Sequence, residues 1–444
     1  GARAGCEGLD VVKDIVSLDY GAFISSNYAF AGNNAAIVVA KESEPFNPHK
    51  FENCKIAITG LGAFCQIAKN SSELADAADS GKRYDLAPRR FYAARPELPK
   101  AAIIERLNPG KLDRRVDFSG MNPISMYATC AVKDALDCAG IKIARANCCG
   151  AALTACTSRG PSEEAHLNAV YQDESRKGDI ACFSNITPNS TAGWVSKALE
   201  IKGANTTLTS APNSSLQCLM YAAKILQNSE AKISVALAAD EVYPQMLAGY
   251  SEIGKTCSDA DAADFKIRLQ NKSETLYAEG ASAVVLERES DALARGAKIY
   301  ATILAASANS FCDDFLGENS DPAPLVDLLN SLLKKASLKP ADIDLILLSP
   351  CGNSQDAKIL AAKNALFKGV PAYTANFNTA FLESASPLTT LCACLKNLDL
   401  KRPLKMPENC GESLGGWLSK ESPKRILAFT SSHVGLNSAV IFER

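Results

Sequence analysis

The chain has 444 residues, with 47 Lys and Arg against 49 Asp and Glu, and 47% of them are hydrophobic. A formal charge of −2 argues against a protein held to nucleic acid by a basic face, and against an acidic disordered tail. The apolar share is ample for a large packed core, and at about 150 residues per domain the length allows two or three domains.

There are 16 Cys but only 3 His, so thiol rather than imidazole chemistry looks available at first. No run of apolar residues is long enough for a membrane-spanning helix, and the N-terminal stretch lacks the basic-then-apolar pattern of a signal peptide. The expectation is a cytoplasmic chain with reduced thiols and no disulfide framework. A metal site is not expected. No CxxC occurs, the closest pairs are Cys148-Cys149 and Cys392-x-Cys394, and His49, His166 and His433 are far apart. Most of the cysteines read as small apolar fillers.

In chain order, Phe23 to Val39 has two β-rich runs flanking a turn of small residues and Asn, which predicts a hairpin. A polar stretch with Pro45 and Pro48 follows as a linker. Lys55-Ile56-Ala57-Ile58-Thr59-Gly60-Leu61-Gly62-Ala63 predicts a buried strand that delivers a tight turn at its glycines. The third glycine of a dinucleotide fingerprint is absent, with Gln66-Ile67 in its place, so a strand-to-loop turn is favoured. Residues 123–140 have helical spacing and a Gly stop. Short apolar runs at 231–239, 280–287, 296–306 and 343–349 read as strands, and helical patterns at 217–229, 324–336 and 356–366 alternate with them. Such alternation indicates an α/β chain with buried sheets. KIAITGLGA near 55 and KIYATILAAS near 298 each open a long α/β stretch, which suggests a duplicated architecture.

Residues 200–240 carry a family resemblance. Ile201-Lys202-Gly203, Asn205, Thr207, Ala211, Ser214 and Leu216 match the nucleophile segment of the β-ketoacyl-ACP synthases, condensing enzymes of the thiolase fold. Ala192-Gly193-Trp194-Val195-Ser196 resembles the family's AGxVS segment. Arg114-Arg115-Val116-Asp117 resembles RRMD, and Glu279-Gly280-Ala281 to Leu286-Glu287 resembles the GEGAGxLVLE strand. The match runs from about 54 to 444. It implies a thiolase-like α/β fold of duplicated αβαβα layered halves, with the first half at 54–290 and the second at 291–444.

The family's catalytic residues do not carry over. The nucleophilic Cys of STACAS falls on Pro212, which has neither thiol, hydroxyl nor backbone N–H. The first His, in NAHGTST, falls on Cys351. In the KSxxGHxxGAAG segment the Lys falls on Asn376 and the second His on Phe381. Condensation needs a thiolate to accept the acyl chain, and two imidazoles to donate hydrogen bonds to the enolate formed on loss of CO₂. All four residues are replaced together, which implies a vacated site. The family's terminal SNSFGFGGTNA loop is also degraded. Thr430 to Phe442 keeps only Gly435 and Asn437 of it, and His433 overlays the gating Phe. The sequence offers no catalytic carboxylate or nucleophile to go with His433, which reads as a loop histidine.

The same terminal motif resembles Ser25 to Val39 more closely, with Phe30 on the gating Phe and Gly32 and Asn34 on the Gly and Asn. Residues 1–42 therefore look like the C-terminal tail of an upstream ketosynthase domain, joined to this one by the linker 43–53.

The resemblance implies a non-catalytic, chain-length-factor-like member. Such a member pairs with an active β-ketoacyl synthase as a heterodimer and helps shape the acyl tunnel in fatty-acid or polyketide elongation, including aryl polyene pathways. The family's usual replacement for the nucleophile is Gln, and Pro212 departs from it. The implied partners are the active ketosynthase and an acyl carrier protein. No cofactor is implied beyond the acyl-phosphopantetheine that carrier presents, and neither nucleic acid nor membrane is implied. Residues 186–207 are the candidate interface. The alternative is an active acyltransferase with another nucleophile. Cys351 leads there and Cys218 is weaker; Ser214 and Ser215 carry hydroxyls, but Ser214 matches an ordinary family serine that is not catalytic. A decarboxylase that keeps only enolate stabilisation needs the two missing His.

Overall fold

The computed structural model describes residues 21–28, 34–41, 53–86, 97–105, 107, 116–143, 150–162, 185–210, 214–229, 231–257, 275–311, 321–352, 354–405 and 422–444. The chain divides into two compact units, Gly1–Lys50 and Phe51–Arg444. In the first, β1 (Ala22–Tyr28) and β2 (Asn34–Ala40) form an antiparallel hairpin.

The second unit is built on ten strands. β3 (Ile56–Cys65), β4 (Ala152–Cys156), β5 (Asn205–Leu208), β6 (Ile233–Asp240) and β7 (Gly280–Arg288) form one half. β8 (Ala301–Ser310), β9 (Leu345–Leu347), β10 (Ala372–Tyr373), β11 (Arg425–Ser431) and β12 (Leu436–Glu443) form the other. Their order is β10-β9-β11-β12-β8-β3-β7-β6-β4-β5. Each half thus arranges its strands third, second, fourth, fifth, first. In each, the second strand is parallel to the third and fourth, and the fifth is antiparallel to the fourth and first. The halves meet where Ile56–Ile58 of β3 pair with Ala301–Ile303 of β8.

The alternation of strand side chains assigns the layers. Leu153, Ala155, Val235, Leu237, Ala283 and Val285 face outward and pack with helices α2 (Pro123–Cys138) and α3 (Ser190–Leu199). α1 (Ser71–Ser80) lies earlier in the chain. Ala236, Ala238, Val284 and Leu286 face inward, against α4 (Ser215–Asn228) and α10 (Ser386–Asp399). Ile426, Ala428, Val440 and Phe442 of the second half reach the same core. Leu427, Phe429, Ala439 and Ile441 pack on the other side with α7 (Ala323–Lys335) and α8 (Ser354–Leu366). The result is five layers, αβαβα, with α4 and α10 in the middle. α10 is packed between the two halves of the sheet, so even Thr389, Thr390 and Asn397 are buried. The shorter helices are α5 (Pro244–Glu252), α6 (Glu289–Ala294) and α9 (Asn376–Thr379).

One expectation is corrected. β3 does not turn at Gly60-Leu61-Gly62. It runs on to Cys65, with a register shift between Ile58 and Gly60. The two glycines serve close packing instead. A Cβ on Gly60 would stand 2.1 Å from the Ala135 carbonyl oxygen, and one on Gly62 would stand 2.0 Å from that of Ala131. Their bareness lets α2 lie directly on the strand. Among the described residues no helix is long and apolar enough to cross a membrane.

Candidate functional site

Pro212, Phe30, Gly32, His49 and His166 lie outside the described residues, and Asn34 is described only as a strand residue of β2. Of the remaining positions singled out by sequence, Cys351, Asn376 and Phe381 come together at one end of the sheet.

Cys351 and Phe381 belong to one buried apolar cluster with Leu98, Val242, Met246, Leu247 and Tyr277. Asn376, fully buried at the start of α9, donates from Nδ2 to the Pro350 carbonyl at 2.7 Å, beside Cys351. Phe381 is held by its backbone. Its N–H donates to Leu276 O at 3.0 Å and its carbonyl accepts from Ala278 N at 2.9 Å. Its ring is tilted against Tyr277, centroids 6.3 Å apart, and Tyr277 stacks on Tyr250 at 4.9 Å. The position on which the resemblance places an imidazole is Phe381, and phenyl and phenol rings fill the space around it. Leu382, next in sequence, is also buried.

Cys351 donates its thiol to Asp356 Oδ1 at 3.6 Å. The same carboxylate accepts the Cys351 and Gly352 backbone N–H groups at 2.8 and 2.7 Å, tying the loop to the first turn of α8. The thiol thus faces an anion, whereas thiol activation relies on a neighbouring cation or an imidazole base. Cys218 is fully buried in α4 and donates to the Thr154 and Leu237 carbonyls at 3.1 and 3.4 Å, as a core thiol does. Ser214 and Ser215, at the start of α4, are fully buried.

A polar group that the sequence did not single out closes the site. Arg159, in the loop after β4, pairs through both guanidinium nitrogens with Glu383. Its Nη1 also donates to the Tyr250 hydroxyl at 3.2 Å, and the guanidinium lies 5.5 Å from the Tyr250 ring centroid. Burial pushes the Tyr250 phenol up to about 12, and the Glu383 charge adds to this against the pull of Arg159, so the hydroxyl stays protonated. Asp240, the last residue of β6, accepts from Thr157 Oγ1 at 3.0 Å and from Ser158 N at 2.8 Å. It also accepts from Ser158 Oγ at 3.1 Å, Ser384 N at 2.8 Å and the Ser384 hydroxyl. Burial of this carboxylate is compensated by donors from both halves of the fold. No spacing rule could have paired Arg159 with Glu383, which lie more than two hundred residues apart. Only the presence of a charged residue inside otherwise small, apolar segments hints at them.

The β11–β12 turn holds the last candidates. Gly435 adopts a left-handed φ of 77° and its carbonyl accepts from Phe311 N at 2.9 Å. Asn437 donates to Asn309 Oδ1 at 2.8 Å. These two residues are anchors of the turn. His433 is partly buried. Burial first, then the charges of Lys255 and Arg159, hold its imidazole below the ordinary value of 6.5. The ring is therefore neutral at pH 7. Among the described residues no group of three or more His, Cys, Asp or Glu side chains is placed to hold a metal ion.

The family model for the N-terminal domain of β-ketoacyl synthases matches residues 54–292. The 3-oxoacyl-[acyl-carrier-protein] synthase 1 of Haemophilus influenzae is 26% identical over 279 residues, 61% of this chain and 68% of that protein. The polyketide biosynthesis malonyl-ACP decarboxylase PksF of Bacillus subtilis is 25% identical over 310 residues, 66% of this chain and 71% of that protein. Among solved structures, the ishigamide ketosynthase/chain length factor superposes with a TM-score of 0.76 at 19% identity, covering 88% of this chain and 99% of that one. That likeness shows a thiolase-like fold of the ketosynthase type. With the family model covering more than half of its length, the chain belongs to the β-ketoacyl synthase family.

Proposed function

We propose that this chain is a non-catalytic ketosynthase-like partner that completes a pair with an active β-ketoacyl synthase and shapes the acyl tunnel during chain elongation on an acyl carrier protein. One observation carries the proposal. The positions where the resemblance places two imidazoles hold a phenyl ring packed on Tyr277 and a thiol bonded to Asp356. Phe381 offers no hydrogen bond to an enolate oxygen, and a thiol is a weak donor. The likeness to a ketosynthase/chain length factor structure supports the same role.

β5 offers a route to pairing. Among the described residues it is the outer strand of the sheet, bonded to β4 on one side, and its four residues are half-buried. An edge strand with an open row of N–H and C=O groups is a template for a strand from another subunit. β5 and the preceding α3 fall at the candidate interface 186–207.

The test is to incubate the chain with radiolabelled acyl-ACP, alone and with an active synthase. The expected result is no covalent label on this chain, formation of a complex, and a change in product length when the complex forms. Stable acylation that disappears in Cys351→Ala would overturn the proposal in favour of an acyltransferase.

A further inference from the structure

The hairpin of the first unit repeats the last hairpin of the second, pair for pair. Adding 403 to the residue numbers of β1 and β2 gives their counterparts in β11 and β12. Ala22↔Ala40 corresponds to Arg425↔Glu443, and Tyr28↔Asn34 corresponds to Ser431↔Asn437, with all five pairs between them in the same register. The closing backbone bond is also shared: Lys41 N to Gly21 O at 2.8 Å, and Arg444 N to Lys424 O at 2.9 Å.

The two hairpins differ in their surroundings. In β11–β12, Ile426 and Phe442 face the central helices and Leu427 and Ile441 face the outer ones, and all four are no more than 1% exposed. β11 lies beside β9, and β12 beside β8. In β1–β2, the counterparts Phe23 and Val39 lie on one face and Ile24 and Val38 on the other, by strand alternation. These four are 41% to 67% exposed, as is Ile37, the counterpart of Val440. A two-stranded ribbon with apolar side chains on both faces is not a stable surface element. Its pattern suits strands buried on both faces and both edges.

We propose that β1–β2 is the closing hairpin of a second ketosynthase-fold body, which precedes it in the same polypeptide, and that it inserts between that body's counterparts of β9 and β8. Within a half of this fold the hairpin supplies the fourth and fifth strands, so the first three come before it in chain order. A second copy of the present chain does not fit, because its own β11–β12 already fills the slot between β9 and β8.

The test has two arms. Sequencing the reading frame ahead of the Gly1 codon is expected to reveal a ketosynthase body that lacks a terminal hairpin of its own before residue 21. A frame without such a body overturns the proposal. Hydrogen exchange is then compared between the parent polypeptide and this chain alone. Peptides covering 22–28 and 34–40 are expected to exchange at least ~1,000-fold more slowly in the parent, as a core strand does. Ile24→Asp in the parent is expected to lower the melting transition of the upstream body and to leave that of residues 51–444 unchanged. Equal, fast exchange in both polypeptides, or protection of this chain alone through self-association, overturns the proposal.

Discussion

Arg159 and Glu383 form a buried two-pronged ion pair across the halves of the fold. Arg159 follows β4 of the first half, and Glu383 precedes α10 of the second. The Glu383 side chain is 1% exposed and that of Arg159 21%. Such a pair adds little net stability when complete, but losing one partner strands a charge away from water.

Glu383→Gln is therefore expected to destabilise the second unit by about 3–5 kcal/mol, and Arg159→Met by a similar amount. The double variant Arg159→Met with Glu383→Leu is expected to cost less than either change alone. Urea unfolding of the three variants checks this. A single variant as stable as the parent would show that the pair is solvated after all.

Ala380 is held at φ 61° and ψ −170°, a region of backbone space open almost only to glycine. It stands where the family pattern KSxxGH has its Gly, directly before Phe381. Ala380→Gly is expected to stabilise the chain by about 1–2 kcal/mol by relieving this strain. Melting of the variant beside the parent reads it directly. A lower midpoint would mean that the methyl group contributes more packing than its backbone costs.

The alternation of strand and helix was plain in the sequence because β6, β7 and β8 each contain a short apolar run, VALAA, AVVL and ILAA, and α4 and α7 keep a helical stripe. α10 escaped notice because polar Thr389, Thr390 and Asn397 are buried among its apolar residues. β4 and β5 escaped it because runs of five and four residues give periodicity too little length. Within the candidate site, Cys351, Asn376 and Phe381 were legible through motif overlay alone, since nothing in their local sequence marks them. Arg159, Asp240 and Glu383 were not legible. Their roles arise from contacts between distant segments, and one sequence carries no record of them.

Gly60 and Gly62 are predicted to be intolerant of even a methyl group. The atoms a Cβ would meet are backbone oxygens of α2, which cannot swing aside as a side chain can. Gly62→Ala is expected to cost about 3 kcal/mol or more through displacement of α2 from β3. Gly81→Ala is a useful comparison, because nothing lies within 4 Å of its added Cβ, so only the φ of 72° opposes it. Denaturant midpoints should fall further for Gly62→Ala than for Gly81→Ala. The reverse order would show that β3 and α2 separate readily.

His433 sets a pH dependence whose sign follows from its lowered value. Burial, then Lys255 and Arg159, disfavour the imidazolium in the folded chain, while in the unfolded chain the ring titrates near 6.5. Above pH 6.5 the ring is neutral in both states and the folded state loses nothing. As pH falls below 6.5 the unfolded state takes up the proton first, so stability declines until the folded-state value is reached. The slope of that decline is at most about 1.4 kcal/mol per pH unit for one proton. His433→Gln removes this group while leaving the carboxylates that titrate in the same range. The stability difference between variant and parent should therefore be constant above pH 7 and should shift in favour of the variant between pH 6.5 and 5. Parallel curves across that interval would show that His433 is solvated and carries no electrostatic contact with the Arg159 side of the site.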